Sequence, residues 1–277
     1  MKKKRARIFL ALFSIVIPLV FVCGPGFLTA EKEALAADRG GYEDVFFKTP
    51  DSVNLHGRLI RSSAPKKGTV IFFHDYPEKP SDRTDDLLWL KDAGYDIFAF
   101  DYSGSGRSDG SPTSAGIRID IAAAIETALM LADVKRDPVF ILGQGLGGAL
   151  AVYALANSAH KDSISGLIID GSFASREDLR PEKLKTIAAE RSYRDLLPGI
   201  ADDSYSPNRW IDEISPIPVI IIHADADEEI PLRSGLKLYD RAKKPKELLI
   251  ADGKGRAQAL ADMDIRKRLI TYLDKVN

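Results

Sequence analysis

The sequence predicts an α/β fold: a mostly parallel central sheet of about eight strands, helices on both faces, and a short lid insertion. Three observations carry this reading. Short apolar runs rich in branched and aromatic residues recur along the chain, the pattern of strands covered on both faces. Helical patterns separate them, which implies right-handed crossovers between parallel neighbours. Residues 174–216 break the alternation with charge and with Pro181, Pro198 and Pro207, as expected of an insertion over the sheet's C-terminal edge.

In chain order, Val45–Lys48 and Val53–Arg61 form a leading hairpin that turns at Asp51 and Ser52. The central strands are Thr69–Phe73, Tyr95–Phe100, Pro138–Leu142 and Leu167–Ile169, followed by Val219–Ile222 and Leu248–Ile250. The expected helices are Asp85–Ala93, Ile117–Ala132, Leu146–Ala156, Leu232–Ala242 and Ala259–Lys275. At 277 residues, 45% hydrophobic and 29% charged, the chain suits one large domain or two small ones. The reading adopted is one domain over residues 42–277, after a polar linker at 31–41.

The net charge of −1 hides an asymmetry. Residues 1–30 carry five basic side chains (Lys2, Lys3, Lys4, Arg5, Arg7) and no acidic one. Setting those five aside from the 39 basic residues leaves 34 against 40 acidic ones. A mildly acidic body without a basic run excludes nucleic acid as the expected partner. Ile8–Cys23 is uncharged, and apolar character resumes after Gly24-Pro25-Gly26 through to Ala30. Residues 1–30 are therefore a signal peptide or a signal anchor. Residues 8–30 are long enough to cross a bilayer of ~30 Å. The positive-inside rule places the domain outside the cytoplasm, anchored, or periplasmic or secreted after cleavage near Ala30 or Ala36. Cys23 is the only cysteine, so the exported part has no disulfide, and bulky Val22 before it argues against lipid attachment.

In an open α/β sheet, ligands bind at the carboxyl ends of the strands. Four segments there carry chemistry: Phe72-Phe73-His74-Asp75; Asp101-Tyr102-Ser103-Gly104-Ser105-Gly106; Gly143-Gln144-Gly145-Leu146-Gly147-Gly148; and His223-Ala224-Asp225-Ala226-Asp227-Glu228-Glu229-Ile230-Pro231. In this order, over about residues 45–275, they resemble the α/β-hydrolases, most closely the serine-aminopeptidase and lysophospholipase-like branch. The resemblance implies a strained Gly-x-Ser-x-Gly elbow for the nucleophile. Here Gly145 holds the serine's place, which suits the backbone but supplies no oxygen. Asp227 falls at the acid position; it is also a good N-cap for a helix opening at Pro231, and both readings stand. Asp75 stands where the family often writes glycine near the oxyanion hole, and Leu146 follows the elbow.

The family's histidine belongs in the loop after the last strand, where Arg256 stands in Asp252-Gly253-Lys254-Gly255-Arg256. Arginine does not release its proton near neutral pH. His56, His74, His160 and His223 lie elsewhere, and His74 and His223 read as buried structural residues. Ser103, Ser105 and Ser172 lie near the expected cleft but lack a base, and read as loop formers. Asp225, Asp227, Glu228 and Glu229 lack the glycine and distant glutamate of a calcium loop, so neither metal nor cofactor is expected.

The expectation is an exported, catalytically degenerate relative with a binding or scaffolding role. The alternative is a serine hydrolase of small esters, amides or lipids with a displaced nucleophile. A bidentate Asp227–Arg256 salt bridge is expected across the triad site. A small anion or ester-like ligand is expected at the helix N-terminus beside Asp75 and Leu146.

Overall fold

The structure, a computed structural model, describes residues 41–75, 84–132, 137–179, 185, 189 and 203–276. The expected N-terminal anchor, the linker before Gly41 and most of the insertion lie outside these residues.

Eight strands form one sheet: β1 Glu43–Lys48, β2 Asn54–Ile60, β3 Gly68–Phe73, β4 Tyr95–Phe100, β5 Val139–Gln144, β6 Gly166–Asp170, β7 Val219–Ala224 and β8 Lys246–Ala251. Their order is β1-β2-β4-β3-β5-β6-β7-β8. The leading hairpin pairs antiparallel and docks antiparallel on β4; every later pairing is parallel. The α-helices described over their whole length are α1 Leu88–Asp92, α2 Gly116–Leu131, α3 Leu146–Ala156, α4 Arg233–Arg241 and α5 Met263–Val276.

Side chains alternate across a strand, so each buried strand feeds two cores. Ile71, Phe73, Phe98, Ile141 and Ile169 pack beneath α2, α3 and α4. Val70, Phe72, Ile97, Leu142 and Ile220 pack against α1 and α5. This two-sided burial explains why the strand runs are apolar at consecutive positions.

Two helices and the end of the insertion differ from expectation. The helix expected at Asp85–Ala93 opens as a 3-10 turn, Thr84–Leu87, and only Leu88–Asp92 is α-helical. The one expected at Ala259–Lys275 is broken at Asp262, whose backbone is extended. Its Oδ1 accepts the N–H groups of Asp264 and Ile265 at 2.9 and 3.3 Å, so a cap starts α5 afresh. The described end of the insertion, 203–216, packs into the core. Tyr205 and Trp210 set their rings 5.2 and 5.6 Å from that of Tyr153 on α3, and Ile211 and Ile214 are buried beside them.

Candidate active site

The parallel strands deliver their carboxyl ends, and the loops that follow, to one edge. At the end of β5 the chain turns into α3 through Gly145, at φ 57° and ψ −120°. This left-handed geometry costs an L side chain energy but costs glycine little. The turn is tied to its neighbour by the Gly145 N–H, which donates to the Asp170 carbonyl at 3.0 Å.

The space above Gly145 is taken. A Cβ built there would lie 2.2 Å from Cγ of Asp75. The buried Asp75 carboxylate accepts the Leu146 N–H at 2.7 Å through Oδ1. Through Oδ2 it pairs with Nη2 of Arg256. The first free N–H of α3, where the helix dipole favours negative charge, thus already holds an anion from within the chain.

Arg256 ties further loops to the same point. Its Nη1 donates to the Gly171 carbonyl at 3.2 Å and lies 3.6 Å from Oδ2 of Asp227. Its Nε lies 3.4 Å from Oε2 of Glu229. Burial opposes its charge, but Asp75, Asp227 and Glu229 outweigh that effect and raise its pKa above the ordinary arginine value. The loop presenting it is pinned to the acid loop: the Gly253 N–H donates to Oδ1 of Asp225 at 2.6 Å, and the Ala226 N–H to the Lys254 carbonyl at 3.0 Å.

Asp227 does not form the expected cap on the helix opening at Pro231. Its Oδ1 accepts the N–H groups of Glu229 and Ile230, each at 2.9 Å, closing the turn before α4. The cap residue of α4 itself is Leu232, so Asp227 shapes the approach to the helix and does not cap it. The expected Asp227–Arg256 salt bridge is present at 3.6 Å, but it is a single contact and not bidentate, because Asp75 takes the nearest guanidinium nitrogen. Asp75 was placed near the oxyanion hole by its position in the chain. Its occupation of the elbow, and the part played by Glu229, were not foreseen. The available signal was size and charge: a glycine, a carboxylate and a guanidinium at three converging positions.

Most of the other candidates have settled partners. The Ser172 hydroxyl donates to the Phe173 carbonyl at 3.3 Å, and that of Ser103 to Asp120 at 2.7 Å. Ser105 is buried, and its hydroxyl has no hydrogen-bond partner among the described residues. None of these hydroxyls meets an imidazole among the described residues. His74 reaches the Asp75 carbonyl through Nδ1 at 2.8 Å and lies 4.4 Å from the Tyr102 ring. Burial, with Asp75 and Asp120 nearby, raises the Tyr102 pKa well above the ordinary phenol value. His223 meets the Ile230 carbonyl at 2.8 Å. His56 sits between Asp44 and Asp101, 2.7 and 2.9 Å away, and His160 is at the surface near Glu126.

Residues 84–209 match the family model described as alpha/beta hydrolase fold. YfhR of Escherichia coli (strain K12) is 34% identical over 219 residues, which cover 76% of this chain and 72% of YfhR. The chain belongs to the α/β-hydrolase family. Within that family it is also similar to human alpha/beta hydrolase domain-containing protein 17B, 29% identical over 229 residues, covering 82% of this chain and 73% of that protein. Among solved folds, this α/β-hydrolase resembles a monoglyceride lipase from Saccharomyces cerevisiae with a TM-score of 0.65 at 18% identity, over 84% of this chain and 94% of that one. At that identity the likeness concerns the fold alone.

Proposed function

We propose that this α/β-hydrolase is catalytically degenerate and serves as a binding or scaffolding domain at the cell envelope. The observation that carries the reading is the Asp75 carboxyl group standing where a side chain at Gly145 would begin. Three requirements of acyl transfer are unmet together. The elbow has no attacking atom. Arg256 cannot act as a proton shuttle, because its carboxylate neighbours hold its proton more tightly still. The Leu146 N–H, which would stabilise a developing oxyanion, is already engaged. The charged start and apolar course of residues 1–30 support export or anchoring.

The test is labelling of the full-length chain with a serine-reactive fluorophosphonate, alongside assays with nitrophenyl acetate and butyrate. Neither labelling nor turnover above a denatured control is expected. Turnover abolished by replacing Ser172, Ser103 or Ser105 would overturn the reading and restore a hydrolase with a displaced nucleophile. For location, an alkaline-phosphatase fusion at the C-terminus should be active and lose activity when residues 1–30 are deleted; activity without them would exclude export by that segment.

A further inference from the structure

We infer that Asp75 is an intramolecular ligand, and that the seat it fills, built from the Leu146 N–H and the Arg256 guanidinium, is a preformed binding site for a small monocarboxylate. The inference rests on the reading of the site as non-catalytic, but its observable is binding, not turnover.

Both carboxylate oxygens of Asp75 are engaged in the way a bound carboxylate would be. One accepts the leading N–H of α3 at 2.7 Å, and the other meets a guanidinium nitrogen. Charge-assisted bonds of this kind are the strong ones for a carboxylate. The host groups are held by the fold, not by Asp75 alone. The Gly145 N–H is bonded to Asp170, which fixes the start of α3. Arg256 is also held by the Gly171 carbonyl and faces Asp227 and Glu229. Shortening Asp75 therefore leaves a donor pair with its geometry in place and its anion missing. It also leaves space, since the glycine beside it has no Cβ to fill the gap. Solvent reaches the rim, where Glu229 is half-exposed and the Arg256 side chain keeps 19% of its surface accessible.

Size matching makes the site testable. Asp75→Ala removes a carboxyl group, the size of formate; Asp75→Gly removes a carboxymethyl group, the size of acetate. In thermal melts of the full-length chain, the alanine variant should gain from formate and the glycine variant from acetate. The expected rise is about 2–4 °C at roughly ten times the Kd, against chloride of equal ionic strength. The native chain, its seat filled, should gain from neither. Adding Arg256→Gln to either variant should remove the gain. Where a variant does not fold unaided, the yield of folded protein with and without its matched acid replaces the melting temperature, and a rise in yield supports the site. If neither variant gains in melting temperature or yield, or if the gain survives Arg256→Gln, the inference is overturned. Ester hydrolysis by the native chain would sink the non-catalytic reading instead, and would do so in a separate assay.

Discussion

At Gly145 two costs coincide, and they can be separated. A side chain there meets the left-handed backbone, worth roughly 1–2 kcal/mol, and the Asp75 carboxyl, an overpacking worth roughly 1–3 kcal/mol. Gly145→Ala should therefore destabilise the protein by about 2–5 kcal/mol in denaturant titrations, but by only the backbone part when Asp75 is also alanine. Equal losses in both backgrounds would remove Asp75 from the space above the elbow. Arg256→Ala should cost about 3–5 kcal/mol, because it strands the buried carboxylates of Asp75 and Asp227. Lysine should not replace it, since one ammonium cannot reach the Gly171 carbonyl and several carboxylates in the fixed fork of a guanidinium. Gly145, Asp227 and Arg256 could each be singled out from the sequence because each sits in a recognisable loop, and the structure brings these loops together around Asp75. What the sequence hid was the seat of Asp75, which depends on a volume emptied at a residue far away in sequence. A consequence follows for rebuilding a relay: Gly145→Ser with Arg256→His still leaves Asp75 against the serine, so Asp75→Gly is needed as well. Hydrolysis of nitrophenyl butyrate by the variant lacking that third change would contradict the crowding.

At the scale of elements, the crossing of α3 over the end of β3 is the tightest constraint near the site. A Cβ on Gly147 would lie 2.1 Å from the Phe73 carbonyl oxygen, a backbone atom that cannot move aside alone. Gly253, unlike the helical Gly147, has a positive φ, but nothing lies within 4 Å of its would-be Cβ. Gly147→Ala should consequently abolish cooperative folding or lower the melting temperature severely, while Gly253→Ala should cost only about 1–2 kcal/mol. Similar losses in the two variants would show that the helix–strand approach does not depend on Gly147 lacking a side chain. The elements themselves were largely readable, since strands such as Tyr95–Phe100 are apolar at nearly every position and α3 is bounded by its glycine turn. The misses were local. Asp262 sat inside an apparently continuous helical pattern, and only its hydrogen bonds to Asp264 and Ile265 reveal it as a cap. The aromatic residues Tyr205 and Trp210 lay in a charged, proline-bearing stretch, where a stretch-wide reading masked their packing on Tyr153.

Over the whole molecule, ion pairs join segments that the sheet alone would leave apart, and some of them set how the fold answers acid. The Arg256 cluster gathers loops after β3, β6, β7 and β8 at the carboxyl edge. Away from that site, Asp274 on α5 meets Lys67 before β3 at 2.9 Å and accepts the Tyr95 hydroxyl of β4 at 2.8 Å. Burial works against the Asp274 charge, but the hydrogen bonds from Lys67 and Tyr95 outweigh it and hold its pKa below the ordinary 3.8. Asp44, bonded to His56 and Arg107, is lowered in the same way against the same opposing burial. A carboxylate whose folded pKa is depressed adds stability that is fully present above its unfolded pKa and lost as pH falls through the folded one. The contribution of Asp274 should accordingly be intact at neutral pH and decline only below about pH 4. Because this pair is well exposed to solvent, the expected size is that of a surface pair, about 0.2–1 kcal/mol. Unfolding titrations of the native chain and of Asp274→Asn should differ by that amount near neutral pH and converge as the carboxylate is protonated. A gap that stays constant into strong acid would mean that asparagine disturbs the packing of α5, and that the ionised carboxylate is not what ties this helix to β3 and β4.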